Sequence, residues 1–110
     1  MDTPLNRSHV EKFVKRFGYR PNSYGIDGYV AAKAVGEAVK AIGGAVEERD
    51  RFIKAIQAVQ FESPRGAFRF DKNGIAVVTF YQMKVEKKEG KLQMIPIKPL
   101  GTFDSAGLVK

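Results

Sequence analysis

The sequence has no cysteine, which excludes disulfides, zinc–thiolate sites and thiol catalysis together. That absence leaves the compartment open. A single histidine, His9, gives a histidine-based catalytic pair or metal cluster no second member, and it reads as a solvated helix residue. No apolar stretch approaches the roughly 18 residues that a bilayer span requires. The opening MDTPLNRSHV lacks the basic start and apolar core of a signal peptide, so the chain is expected to be cytoplasmic or the tail of a longer precursor. Internal repeats and low-complexity segments are absent. So is a phosphate-cradling loop, since Gly43-Gly44 follows a helix and lacks the Lys-Ser/Thr ending. Glu47, Glu48 and Asp50 are helix-start charges that nothing isolates from water, and they do not form a carboxylate dyad. Asp71-Lys72-Asn73-Gly74 opens like a calcium loop without the later acidic ligands, and reads as turn chemistry. The expectation is a protein without enzymatic activity, metal or cofactor.

What remains is an ordinary globular composition: 110 residues, 44% hydrophobic and 28% charged. A chain of that length forms one compact unit at most, with a modest core. Lys and Arg number 19 against 12 acidic residues, a net charge of +7. An excess of this sign serves solubility or attracts anionic partners. Lys84, Lys87, Lys88, Lys91 and Lys98, with Tyr81 nearby, make the best case for nucleic-acid binding. The same lysines would also protect exposed strand edges from aggregation.

The periodicity gives three helices. Ser8 with Glu11 three positions later suits a helix start, and Val10, Phe13, Val14 and Phe17 then share one face, predicting a helix over 8–17 closed by Gly18 and Pro21. A second helix is predicted over 23–42, starting at Asn22 or Ser23 and ending at Gly43-Gly44. It is apolar around most of its circumference and therefore wants neighbours on several sides. Close approach of another backbone would explain Gly25, Gly28 and Gly36 within it. The third, over 47–60, presents Phe52, Ile53, Ile56 and Val59 and stops before Ser63-Pro64. Three mainly antiparallel strands follow: about 67–70, then 75–86 after a turn at 71–74, then 92–97 after a turn at Lys87 to Gly90. The first half of the long strand is apolar on both faces and should be buried on both. Pro96 marks an edge position, and Pro99 onward reads as a loose tail. This is a poor recipe for a self-sufficient fold. The second helix and the long strand each present two apolar faces, and the remaining elements can cover one of each.

Three segments carry a family resemblance. Phe17-Gly18-Tyr19-Arg20-Pro21, then Tyr24 and Gly28-Tyr29-Val30-Ala31, resembles a run in which a "yG-x-x-P" turn precedes a helix starting "GYDA". Phe61 to Asp71 is similar to an "F-x-S-P-R-G-x-F-R-F-D" crossover. Tyr81 to Glu86, followed by Gly90-Lys91-Leu92, looks like a closing hairpin, often "Y-x-R-x-V-x-x-x-x-G-K-L". In this order and spacing they resemble the C-terminal part of the substrate-binding proteins of ABC importers for branched-chain amino acids, the Leu/Ile/Val-binding, type I periplasmic class.

The resemblance implies an α/β fold of two lobes joined by crossing strands, closing on a branched-chain amino acid or similar small carboxylate or amide. Residues 1–78 would be the C-terminal portion of the first lobe. Residues 79–98 would be a crossing strand and a hairpin of the second lobe, and 99–110 a tail. The hinge would lie at Val78, Thr79, Phe80 and Tyr81. Tyr24 falls where the family places a cleft-lining aromatic. Val30 replaces the family's acidic residue in "GYDA", and Asp27, three positions earlier, is the substitute ligand-binding candidate. The implied partners are the solute, an ABC permease and the missing N-terminal part of the same protein, at a periplasmic or membrane-anchored location. The uncovered helix would also permit a dimer. The alternative is a free-standing basic domain that binds nucleic acid through its lysine-rich hairpin.

Overall fold

A computed structural model describes residues 3–109. The first helix, α1 (Pro4–Phe17), begins four residues earlier than the Ser8–Glu11 pattern suggests. Thr3 is its cap: the hydroxyl accepts the Asn6 amide at 3.1 Å, and Pro4 occupies the first helical position, where its fixed φ fits and no amide is needed. Gly18 closes it with φ 78°, its amide bonding the Val14 carbonyl at 2.8 Å. Helix α2 (Ser23–Ala41) is capped by Asn22, whose side chain accepts the Gly25 amide at 3.1 Å. Of its three glycines, only Gly25 lies close to a neighbour, the Phe13 ring and Pro21; a Cβ at Gly28 or Gly36 would meet nothing within 4 Å. The expected backbone approach is therefore absent from this chain at those two positions.

Helix α3 is shorter than the sequence pattern implies, Arg49–Gln57. Buried Val59 marks the turn out of it, and Gln60, expected to be its last residue, instead starts a strand, β1 (Gln60–Ser63). β1 pairs antiparallel with β2 (Gly66–Arg69) across a turn in which Pro64 is fully buried. Phe61 stacks on Phe68 at 4.9 Å between ring centroids, and Phe68 meets Phe70 edge-on at 5.1 Å. These rings pack beneath Ala34 and Ala38 of α2 and beside Phe52 and Ile56 of α3, forming the core with Val59.

The Asp71–Gly74 turn forms as expected, with the Gly74 amide on the Asp71 carbonyl at 3.1 Å. β3 (Val78–Lys88) then pairs antiparallel with β4 (Lys91–Asp104) through a two-residue turn. Glu89 and Gly90 both have positive φ, 51° and 78°, the twist that matches a tight hairpin. The register slips between Phe80 and Tyr81 and again between Gln82 and Met83. The expected loose tail is ordered strand. β4 continues through Pro99 to Asp104 and pairs with β5 (Gly107–Leu108). Pro96 and Pro99 are tolerated because, on the side away from β3, β4 has partners only at Phe103 and Asp104. The chain thus has three helices followed by antiparallel strands, an α/β arrangement with five strands where three were expected.

Burial is sparse. The buried hydrophobic residues are Ala34, Ala38, Ile42, Val59 and Val77, while Val35, Val78, Phe80, Val85, Leu92, Met94 and Ile97 are exposed. Of the stretch from Ile75 expected to be covered on both faces, Val77 is buried and Ala76 half-buried, but Ile75, Val78 and Phe80 are left exposed by this chain. The radius of gyration is 16.3 Å, against about 13 Å for a compact domain of this length. The accessible surface is 8339 Å², against roughly 6,100 Å² for a folded monomer of this mass. About 2,200 Å² is therefore in excess of what a closed molecule shows.

Candidate functional site

Tyr24 sits in the first turn of α2, with 82% of its surface exposed. Asp27 follows on the same helix. Its carboxylate is engaged within the chain: Arg65, in the β1–β2 turn, places Nη1 2.8 Å from Asp27 Oδ1 and donates from Nη2 to the Ser23 carbonyl at 3.0 Å. The turn that presents Arg65 is itself fixed. The Ser63 hydroxyl donates to the Gly66 carbonyl at 2.8 Å and accepts the Arg65 amide at 3.1 Å. Arg65 thus reaches across 42 residues to Ser23 and holds groups on either side of Tyr24. Neither periodicity nor turn chemistry signals such a contact.

Val78, Thr79, Phe80 and Tyr81 form the start of β3, opposite Phe103, Thr102, Gly101 and Pro99 of β4. Thr79 and Thr102 share a hydroxyl–hydroxyl hydrogen bond of 2.8 Å, and Phe80 meets Phe103 edge-on at 5.6 Å. Just upstream, Asp71 is the most heavily bonded carboxylate among the described residues. It accepts from the amides of Asn73 (2.8 Å), Ile75 (2.9 Å) and, 34 residues on, Ser105 (2.9 Å). The Ser105 hydroxyl, which accepts the Asn73 side-chain amide at 2.8 Å, is the largest influence holding the Asp71 carboxyl far below the usual carboxylate range; the Ile75, Ser105 and Asn73 amides add to it. Four donors on one carboxylate favour its charged form.

Among the described residues no three metal-ligating side chains converge, and no helix is long and apolar enough to cross a membrane. An open hollow of about 540 Å³ beside α3 is lined by Glu48, Arg49, Asp50, Arg51 and Lys54. It shares no residue with the Tyr24 or β3 region and lacks the apolar walls of a small-molecule site. His9 is not the solvated residue expected. Its ring packs edge-on against Tyr29 at 4.9 Å, and its Nε2 is buried without a partner. Lys87, Lys88 and Lys91 gather at the β3–β4 tip, with Lys88 directly opposite Lys91. Tyr81 lies seven residues back along β3 from Lys88, roughly 23 Å away, and only Lys84 and Lys98, which sits opposite Gln82, lie near it, so the five lysines are spread along the hairpin and do not gather around the aromatic.

A family model described as "Periplasmic binding protein" matches residues 1–91. Several solved structures share the fold. An ABC transporter substrate-binding protein from Sphaerobacter thermophilus is 33% identical, with TM-score 0.89, covering 94% of this chain and 29% of its own. A solute-binding protein from Rhodopseudomonas palustris in complex with 3,4-dihydroxybenzoic acid is 34% identical, with TM-score 0.81, covering 94% and 28%. A second from the same organism, in complex with benzoate, is 28% identical, with TM-score 0.82, covering 98% and 29%. No curated protein sequence gives a significant match. The chain spans under a third of the length of these solved relatives. The helices, hairpins and strand order described above account for that likeness over nearly every residue, and the chain belongs to the periplasmic binding protein family.

Proposed function

We propose that this chain is one wall and one hinge strand of a two-lobed solute-binding protein that serves an ABC importer outside the cytoplasm. No bond is made or broken; the protein captures a solute and presents it to a permease. Residues 1–78 belong to the first lobe, and 79–98 form a crossing strand and the hairpin of the second. β4 beyond Pro99 and β5 return alongside the crossing. Tyr24 contributes an apolar face and a hydroxyl to the cleft, the mixture that such sites use. Closure follows from tighter binding by the closed state, with β3 flexing at Val78 to Tyr81.

The observation that carries this reading is the excess of accessible surface, about 2,200 Å² beyond a closed molecule's, with many large apolar side chains left exposed on it, in a chain that matches 29% of each of two importer components. Both features are met if further polypeptide completes the lobes. The solute is a small organic acid. Relatives above 25% identity include complexes with benzoate and 3,4-dihydroxybenzoic acid and a protein described as a branched-chain amino acid transporter. An aromatic carboxylate has the larger share of this support, with leucine-like amino acids the second class.

Titration calorimetry tests the reading. The protein completed by in-frame upstream sequence should bind benzoate or leucine with a Kd on the order of micromolar, while the 110 residues alone bind neither measurably. Micromolar affinity in the isolated chain would overturn it.

A further inference from the structure

We propose that Arg65 is a positioning residue for Tyr24, and that Asp27 serves the cleft through Arg65 and not by touching solute. This rests on the reading of Tyr24 as a cleft wall. Asp27 Oδ1 lies 2.8 Å from one guanidinium nitrogen, and the other donates to the Ser23 carbonyl at 3.0 Å. The carboxylate is thereby committed to a partner before any solute arrives.

The bridge has a particular placement. Ser23 and Asp27 stand one helical turn apart, with Tyr24 between them, so a planar guanidinium bonded to both clamps the turn that carries the tyrosine backbone. Arg65 is presented from a turn fixed by the two Ser63 hydroxyl bonds and by buried Pro64, so its reach is set by the β1–β2 hairpin. The hairpin in turn packs through Phe61 and Phe68 against the Ala34–Ala38 core. The orientation of the helix start is therefore referred to the lobe's core. With side chains about half exposed, the pair adds little to global stability, so its effect should be read in solute binding more than in melting.

The experiment is a double-mutant cycle in the completed binding protein, with benzoate and leucine as probes. Arg65→Ala should weaken binding about two- to fivefold, and Arg65→Lys less, because one bond is kept. In a Tyr24→Ala background, Arg65→Ala should change Kd less than about 1.5-fold. Equal effects in the two backgrounds would overturn the proposal, as would no effect with Tyr24 intact. Hydrogen exchange of the Asp27–Val30 amides, measured without ligand, should accelerate in Arg65→Ala. Unchanged exchange refutes positioning even if affinity falls. Faster exchange with unaltered affinity leaves the clamp standing but removes Tyr24 from the cleft, and failure of both probes to bind removes the solute-binding reading while exchange still decides the clamp.

Discussion

Asp71 shows how one side chain can organise a region that sequence leaves blank. As the acceptor of an Asx turn it was readable, since Asp-Lys-Asn-Gly is turn chemistry. Its bonds to the Ser105 amide and hydroxyl were not, because a contact across 34 residues leaves no periodic trace. Its depressed pKa has a stability consequence whose sign is fixed. The folded state holds the carboxylate charged more readily than the unfolded chain, so the contribution is whole above the ordinary carboxylate range, near 3.9, and is lost as pH falls below it. Asp71→Asn should lower the melting temperature at pH 7 and flatten its decline between about pH 4 and 2; an unchanged acid limb would refute this. At the other end of the chain, Thr3→Ala should remove the α1 cap at a cost of about 1 kcal/mol, read by denaturant unfolding.

The three helices were legible as elements because apolar spacing agreed with stop signals, glycines after α1 and α2 and Pro64 beyond α3. Their ends were less so. Ser8–Glu11 imitates a start that Thr3-Pro4 in fact makes, and Val59 keeps helical spacing from Phe52 and Ile56 although it lies past the end of α3. Pro96 signals an edge strand, but Pro99 looks like a breaker and hides the continuation of β4 to Asp104; how far the edge runs is knowable only from the sheet. In the candidate site, Tyr24, Asp27 and the β3 start are pointed to only by family likeness and stand as proposals, while the Arg65 bridge to Asp27 and Ser23 has no signal in the sequence. The β3–β4 turn gives the sharpest test at this scale. Glu89 holds φ 51°, which a residue bearing a Cβ resists. Glu89→Gly or Glu89→Asn should therefore stabilise the hairpin by about 0.5 kcal/mol. Gly90→Val, at φ 78°, should destabilise it by at least about 1 kcal/mol. Amide exchange along Val85–Lys88 would report both.

For the molecule as a whole, the dimensions of 52 × 37 × 19 Å describe a flat, extended slab in place of the near-spherical shape of a closed domain. The incompleteness was legible: too few elements for the apolar faces of α2 and β3. The isolated chain should accordingly bind a hydrophobic dye and self-associate at tens of micromolar, reported by sedimentation. Completion by the remaining lobes should abolish both. A monomeric, dye-silent 110-residue chain would contradict the account at its root.

The Asp71–Ser105 tie has a mechanical corollary. It fastens the start of β3 and the end of β4 to one anchorage, so the two strands leave the helical layer as a pair. Any swing of the distal hairpin must then take place past that fastening, where the ladder already slips between Phe80 and Met83. On the hinge reading proposed above, flexing within Val78 to Tyr81 would then concentrate at its far end, at Phe80 and Tyr81, where the register slips.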